Sequence, residues 1–91
     1  MTNTLEEAGQ NIDEINEEIV EKIDERMEEV EKIVQYKEEN DLEVKGEDRE
    51  ETVMSQFADR FEEKDLPRER GRHLGRLLID TAIDMEREEI N

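Results

Sequence analysis

Five charged residues sit where a helical reading of the sequence puts apolar surface. Arg26 and Lys37 lie in "DERMEEVEKIVQYK". At about 100° per residue they fall near the middle of the arc defined by Ile12, Ile15, Ile19, Ile23, Val30, Ile33 and Val34. Glu50 falls at the centre of a second arc, made by Val53, Met54, Phe57, Ala58 and Phe61, and Arg49 flanks it. Glu86 lies between two further stripes, one of Leu74, Leu77, Leu78, Ala82 and Met85, the other of Ile79, Ile83 and Ile90. A lone charge in such a place is commonly a snorkelling side chain or a helix-end group. Five of them, from three segments and of both signs, fit a polar pocket inside a helical bundle better. Buried charges need partners, and three gathered cations suit a small ligand carrying carboxylates. The two acids beside them could hydrogen-bond a hydroxyl or an ether oxygen. The set contains no nucleophile–base pair, no metal cluster and no glycine-rich phosphate loop. The chemistry left to it is positioning and electrostatic stabilisation.

Three helices must carry these residues, so the fold class is all-α. The first runs from about Thr4 to about Glu39 without a proline and should be roughly 50 Å long. "NDLEVKG" breaks the pattern, with Gly46 as the turn or cap residue. The second helix starts near Glu47, where Glu47 and Asp48 suit the helix dipole, and ends near Phe61. "EEKDLP" connects it to a third helix, with Pro67 in the first turn and an end near Ile90. One domain spans 1–91. Its first helix is much longer than a compact chain of this size is wide, since the radius of gyration should be about 12–13 Å. Two shorter helices of the same chain cannot cover that stripe. An intertwined, two-fold helical homodimer is the simplest closed arrangement that can.

The composition narrows the partners. Thirty acids against 13 Lys+Arg give a net charge of −17 on 91 residues. Such a surface repels nucleic-acid phosphates and anionic membranes, so the reading is no nucleic acid and no membrane as partners. A solvated surface adapted to a salt-rich, halophilic cytoplasm accounts for the charge; a purely structural acidic dimer or a DNA mimic is the alternative from another class. There is no cysteine and hence no disulfide, thiol nucleophile or cysteine-based metal site. No apolar run has the length of a signal segment or a membrane span, which points to the cytoplasm. The lone His73, in "RGRHLGR", reads as solvent-facing or helix-capping.

The run "IDEINEEIVEKIDERMEEVEKIVQYKEEN", then "EDREE", then "LGRLLIDTAIDMERE", resembles the all-helical chorismate mutases over nearly the whole chain. The most specific part is Arg26, then Lys37 eleven residues on, then Arg49-Glu50 twelve beyond that. The resemblance implies an intertwined homodimer of three-helix chains that binds the dicarboxylate chorismate. It implies the Claisen rearrangement of chorismate to prephenate, in aromatic amino acid biosynthesis, with no cofactor and no metal. By position, Arg26 would clamp a carboxylate and Lys37 would reach a carboxylate and the ether oxygen. Glu50 would hold the ring hydroxyl, with Arg49 supporting the site. Glu86 stands where many members have a glutamine that donates to the ether oxygen. Three positions depart from the family pattern: Gly9 replaces an arginine that reaches into the partner's site, Gly46 an aspartate, and Ala82 a serine. The missing arginine implies a weak mutase. A mutase-like binding or regulatory module, or an isochorismate pyruvate-lyase on the same scaffold, is the alternative.

The net charge also sets an expectation for stability. Self-repulsion at −17 per chain destabilises the compact state until salt screens it. The Tm should rise markedly from low ionic strength to about 1 M salt, as followed by circular dichroism. A flat or falling dependence would remove the case for salt adaptation.

Overall fold

The computed structural model describes the backbone of residues 3–42 and 47–90 and the side chains of residues 3–42 and 49–86. The described residues form three helices and no strand: α1 (Thr4–Glu39), α2 (Glu47–Glu63) and α3 (Arg68–Ile90). Each begins or ends for a local chemical reason. Asn3 caps α1, its side-chain oxygen accepting from the Leu5 N–H at 3.0 Å, and Glu6 and Glu7 complement the positive end of the helix dipole.

Both α1 and α2 end with an aspartate in the left-handed region, Asp41 at φ 58° and Asp65 at φ 59°. In each case the next N–H folds back onto the last turn. Leu42 donates to the Lys37 carbonyl at 2.7 Å, and Leu66 to the Phe61 carbonyl at 2.8 Å. Asparagine and aspartate tolerate this conformation better than other residues with a Cβ. The turn assigned to Gly46 lies outside the described residues, and the left-handed position that closes α1 is Asp41. Pro67 sits one residue before α3, and its carbonyl accepts from Arg70 and Gly71.

Helices α2 and α3 form an antiparallel hairpin whose backbones nearly touch. A Cβ at Gly71 would meet the Phe57 carbonyl carbon at 2.8 Å and Ala58 Cα at 2.9 Å. One turn on, a Cβ at Gly75 would meet Met54 Cα at 2.9 Å. Removing two side chains on α3 lets α2 approach closely enough to bury Val53 and Ala58 against Leu78 and Ile79. Arginines one turn apart then reach across the seam: Arg68 to Asp59 and Glu62, and Arg72 to Glu51 through two hydrogen bonds of 3.0 and 3.3 Å. The Arg72 guanidinium holds the Glu51 carboxyl below its ordinary range.

The first helix is different. It touches α3 near Met27 and Val34, both buried, and does not pack on α2 among the described residues. Met27 and Val34 lie at one margin of the α1 stripe, so the rest of the stripe stays open. Ile12 is 56% exposed and Ile15 and Ile19 are each 51% exposed. The radius of gyration is 16.9 Å, against about 12 Å for a compact chain of this length. The long axis is 61 Å. Leu77 on α3 is likewise exposed, so only part of that helix's apolar surface is covered within the chain.

The close α2–α3 approach makes Gly71 intolerant of any side chain. Gly71→Ala should lower the Tm despite alanine's better helix propensity. That gain is about 1 kcal/mol, and overpacking against a backbone carbonyl costs about 1–3 kcal/mol. Circular dichroism melts of Gly71→Ala beside Gly9→Ala, where a Cβ meets nothing within 4 Å, separate the two effects. Equal Tm changes would mean that the seam relaxes freely.

Candidate active site

Arg26 and Lys37 come from the C-terminal half of α1. Both are half-buried. From the first turns of α2 come Glu50, half-buried, and Arg49, exposed. Glu86, also half-buried, comes from the last turns of α3. Glu86 lines a narrow cleft between α1 and α3 together with Met27, Val30, Glu31, Val34, Ala82 and Met85. The cleft encloses about 10 Å³, room for about one water. Small-molecule sites commonly span about 300–1,000 Å³, so this cleft holds no such ligand by itself, and of the candidate residues it is lined by Glu86 but not by Arg26, Lys37, Arg49 or Glu50.

The electrostatics of Arg26 are the most informative feature. Burial pushes its guanidinium below the ordinary arginine value, and the like charge of Arg49 pushes it further the same way. The two guanidiniums thus disfavour each other's charge, and an anion placed between them would relieve both. Among the described residues neither Arg26, Arg49 nor Lys37 forms an ion pair with an acid, in a chain where acids outnumber bases by more than two to one. By contrast Lys22 and Lys32, on the exposed part of the same helix, pair with Glu25 and Glu29 at 3.0 and 2.9 Å. On α1 the two cations of the apolar arc, Arg26 and Lys37, are thus the two without an acid partner among the described residues, as are Lys64 and Arg70 elsewhere on the surface.

Glu50 does not share in that cluster's charge balance directly. Its carboxylate faces Arg76 of α3, with Nη1 and Oε1 3.9 Å apart. The sequence reading passed over Arg76, although its spacing from Arg68 and Arg72 marks a row of arginines one turn apart on α3. It also passed over Glu31, which lines the cleft beside Glu86. Ala82 lies in the same cleft wall. Gly9 is on the exposed upper half of α1, with open space where a side chain would begin. Gly46 lies outside the described residues. Among those described, no group of acids and histidines is arranged to hold a metal ion, and no helix is long and apolar enough to cross a membrane.

The described residues thus form three helices, the longest carrying on its apolar arc two cations that pair with no acid among those residues. The sequence matches the family described as chorismate mutase type II over residues 9–87, and the chain belongs to that family. Comparison with curated proteins and with solved structures gives no match.

The partial burial of Arg26 within the field of Arg49 predicts a trade between stability and binding. In about 1 M salt, where the long-range field of the acids is screened, Arg26→Leu should raise the Tm by a few degrees. It removes a partly desolvated charge and a like-charge repulsion while keeping apolar bulk. Binding of a dicarboxylate ligand, measured by calorimetry, should fall at least tenfold, about 1.4 kcal/mol. A lowered Tm would mean that Arg26 is held by partners that offset its burial.

Proposed function

We propose that the chain is a chorismate mutase that works as a homodimer and converts chorismate to prephenate. The observation that carries this reading is the partly desolvated Arg26, within the field of Arg49, with Lys37 on the same arc of α1 and no acid paired to any of the three among the described residues. Family membership supplies the substrate class. Arg26 and Arg49 bind and support the substrate carboxylates, and Lys37 reaches a carboxylate and the ether oxygen. Glu50 accepts the ring hydroxyl. In the rearrangement the ether C–O bond breaks as a C–C bond forms, with no covalent enzyme intermediate. Negative charge gathers on the ether oxygen, and fixed cations stabilise it without reorganising. The open stripe of α1 and the small volume of the cleft support a second chain completing each site, giving a particle of about 22 kDa, twice 10.9 kDa. The whole of 1–91 is then one mutase domain, and a cytoplasmic setting follows from the reaction's place in aromatic amino acid synthesis.

Glu86 and Gly9 set the rate. A glutamate can donate to the ether oxygen only when protonated; ionised, it opposes the charge that develops there. Loss of chorismate absorbance with prephenate identified as product tests the activity, and light scattering tests the dimer. Binding without turnover would favour a ligand-binding or regulatory module, and release of pyruvate from isochorismate would favour the lyase.

Two substitutions sharpen the test. Glu86→Gln should raise kcat/KM, because the amide donates without first having to take up a proton. Gly9→Arg should raise kcat/KM about tenfold for each 1.4 kcal/mol of clamp recovered; within the single chain a Cβ at Gly9 meets nothing within 4 Å. A higher Tm with unchanged kcat/KM would show that Gly9→Arg improves the helix alone.

A further inference from the structure

Glu50 reaches the candidate site from α2, but the opposite charge that meets it belongs to α3. Arg76 Nη1 lies 3.9 Å from Glu50 Oε1 and 3.5 Å from Asp80 Oδ1. One guanidinium thus stands between a site carboxylate and a carboxylate of its own helix. The one-turn spacing to Asp80 fixes where on α3 the guanidinium sits. The other two arginines of the row are committed elsewhere, Arg72 to Glu51 and Arg68 to Asp59 and Glu62. Only the Arg76 contact ends at a candidate site residue. Arg49 cannot replace it, because adjacent residues on a helix do not face each other. The Glu50 side chain is 29% exposed, so solvent alone does not fix its orientation and a neighbouring charge has leverage on it.

We propose that Arg76 is a positioning residue: it holds the Glu50 carboxylate across the α2–α3 seam in the orientation that accepts a ligand hydroxyl. The proposal rests on the mutase reading, which supplies that hydroxyl. It adds a residue whose effect on the substrate runs wholly through Glu50.

The test is a double-mutant cycle at about 0.1 M salt. Arg76→Gln should lower kcat/KM for chorismate about three- to fivefold, chiefly through KM, the range open to a partly exposed ion pair. Arg76→Lys should recover part of the loss. In a Glu50→Gln background, Arg76→Gln should have no further effect. Arg72→Gln is the control, since it breaks the better-formed pair on the same seam. It should lower the Tm at least as much as Arg76→Gln and leave kcat/KM within about twofold. Equal kinetic losses from Arg72→Gln and Arg76→Gln, or an undiminished loss with Glu50 already neutral, would overturn the proposal. An active wild type matched by Arg76→Gln sinks this proposal alone. A wild type that neither binds nor converts chorismate sinks the mutase reading, and the proposal falls with it.

Discussion

The structure turns on the register of α1, which places isoleucines and cations on the same arc. Whatever covers Ile23, Val30 and Ile33 must come close to Arg26 and Lys37, because each lies three or four residues from one of these cations on the same arc of the helix. Apolar burial and desolvation of the cations are therefore one event. The first is favourable by about 25 cal/mol per Å². The second is costly unless an anion is present. A ligand that neutralises the cations thus favours the same packed state as the apolar contacts do, and binding and stability are linked through one helix face.

The α2–α3 hairpin has a different logic. Its rigidity comes from backbone proximity at Gly71 and Gly75 and from arginines spanning the seam. That hairpin supplies Glu50 and Glu86 from opposite ends of two helices, which an isolated helix could not hold at fixed separation. The long helix and the hairpin meet at Met27, Val30 and Val34, where the cleft beside Glu86 forms. Residues on the two elements can be brought to one ligand only as accurately as this small contact allows.

Much of this was legible in the sequence, for identifiable reasons. The bounds of α1 and α3 follow from uninterrupted helical periodicity and from Pro67, and α2 runs one turn fraction past Phe61 to Glu63. Arg26 and Lys37 stood out because periodicity predicts an apolar side chain at each position. A helical wheel shows which face a residue occupies but not which neighbour meets that face. That is why Arg76 and Glu31 escaped notice and why Arg49 proved exposed rather than at the edge of the core. Glycine inside a helix reads as a propensity cost; that Gly71 and Gly75 instead permit close backbone approach emerges only once α2 is in place. The left-handed aspartates escaped for a similar reason, since glycine is the usual residue there and Gly46 drew attention away from Asp41.

The acids of α1 gather on the side away from the isoleucines, which gives the helix two unlike surfaces. In assembly terms it has a valence of one. The apolar arc can adhere to a matching surface, while the opposite arc, dense in glutamate and aspartate, repels its own kind. Growth into a chain of subunits requires a second adhesive face on each member. With only one, association through α1 terminates once that face is covered, and the negative exterior left outside keeps the finished particles apart in a crowded solution.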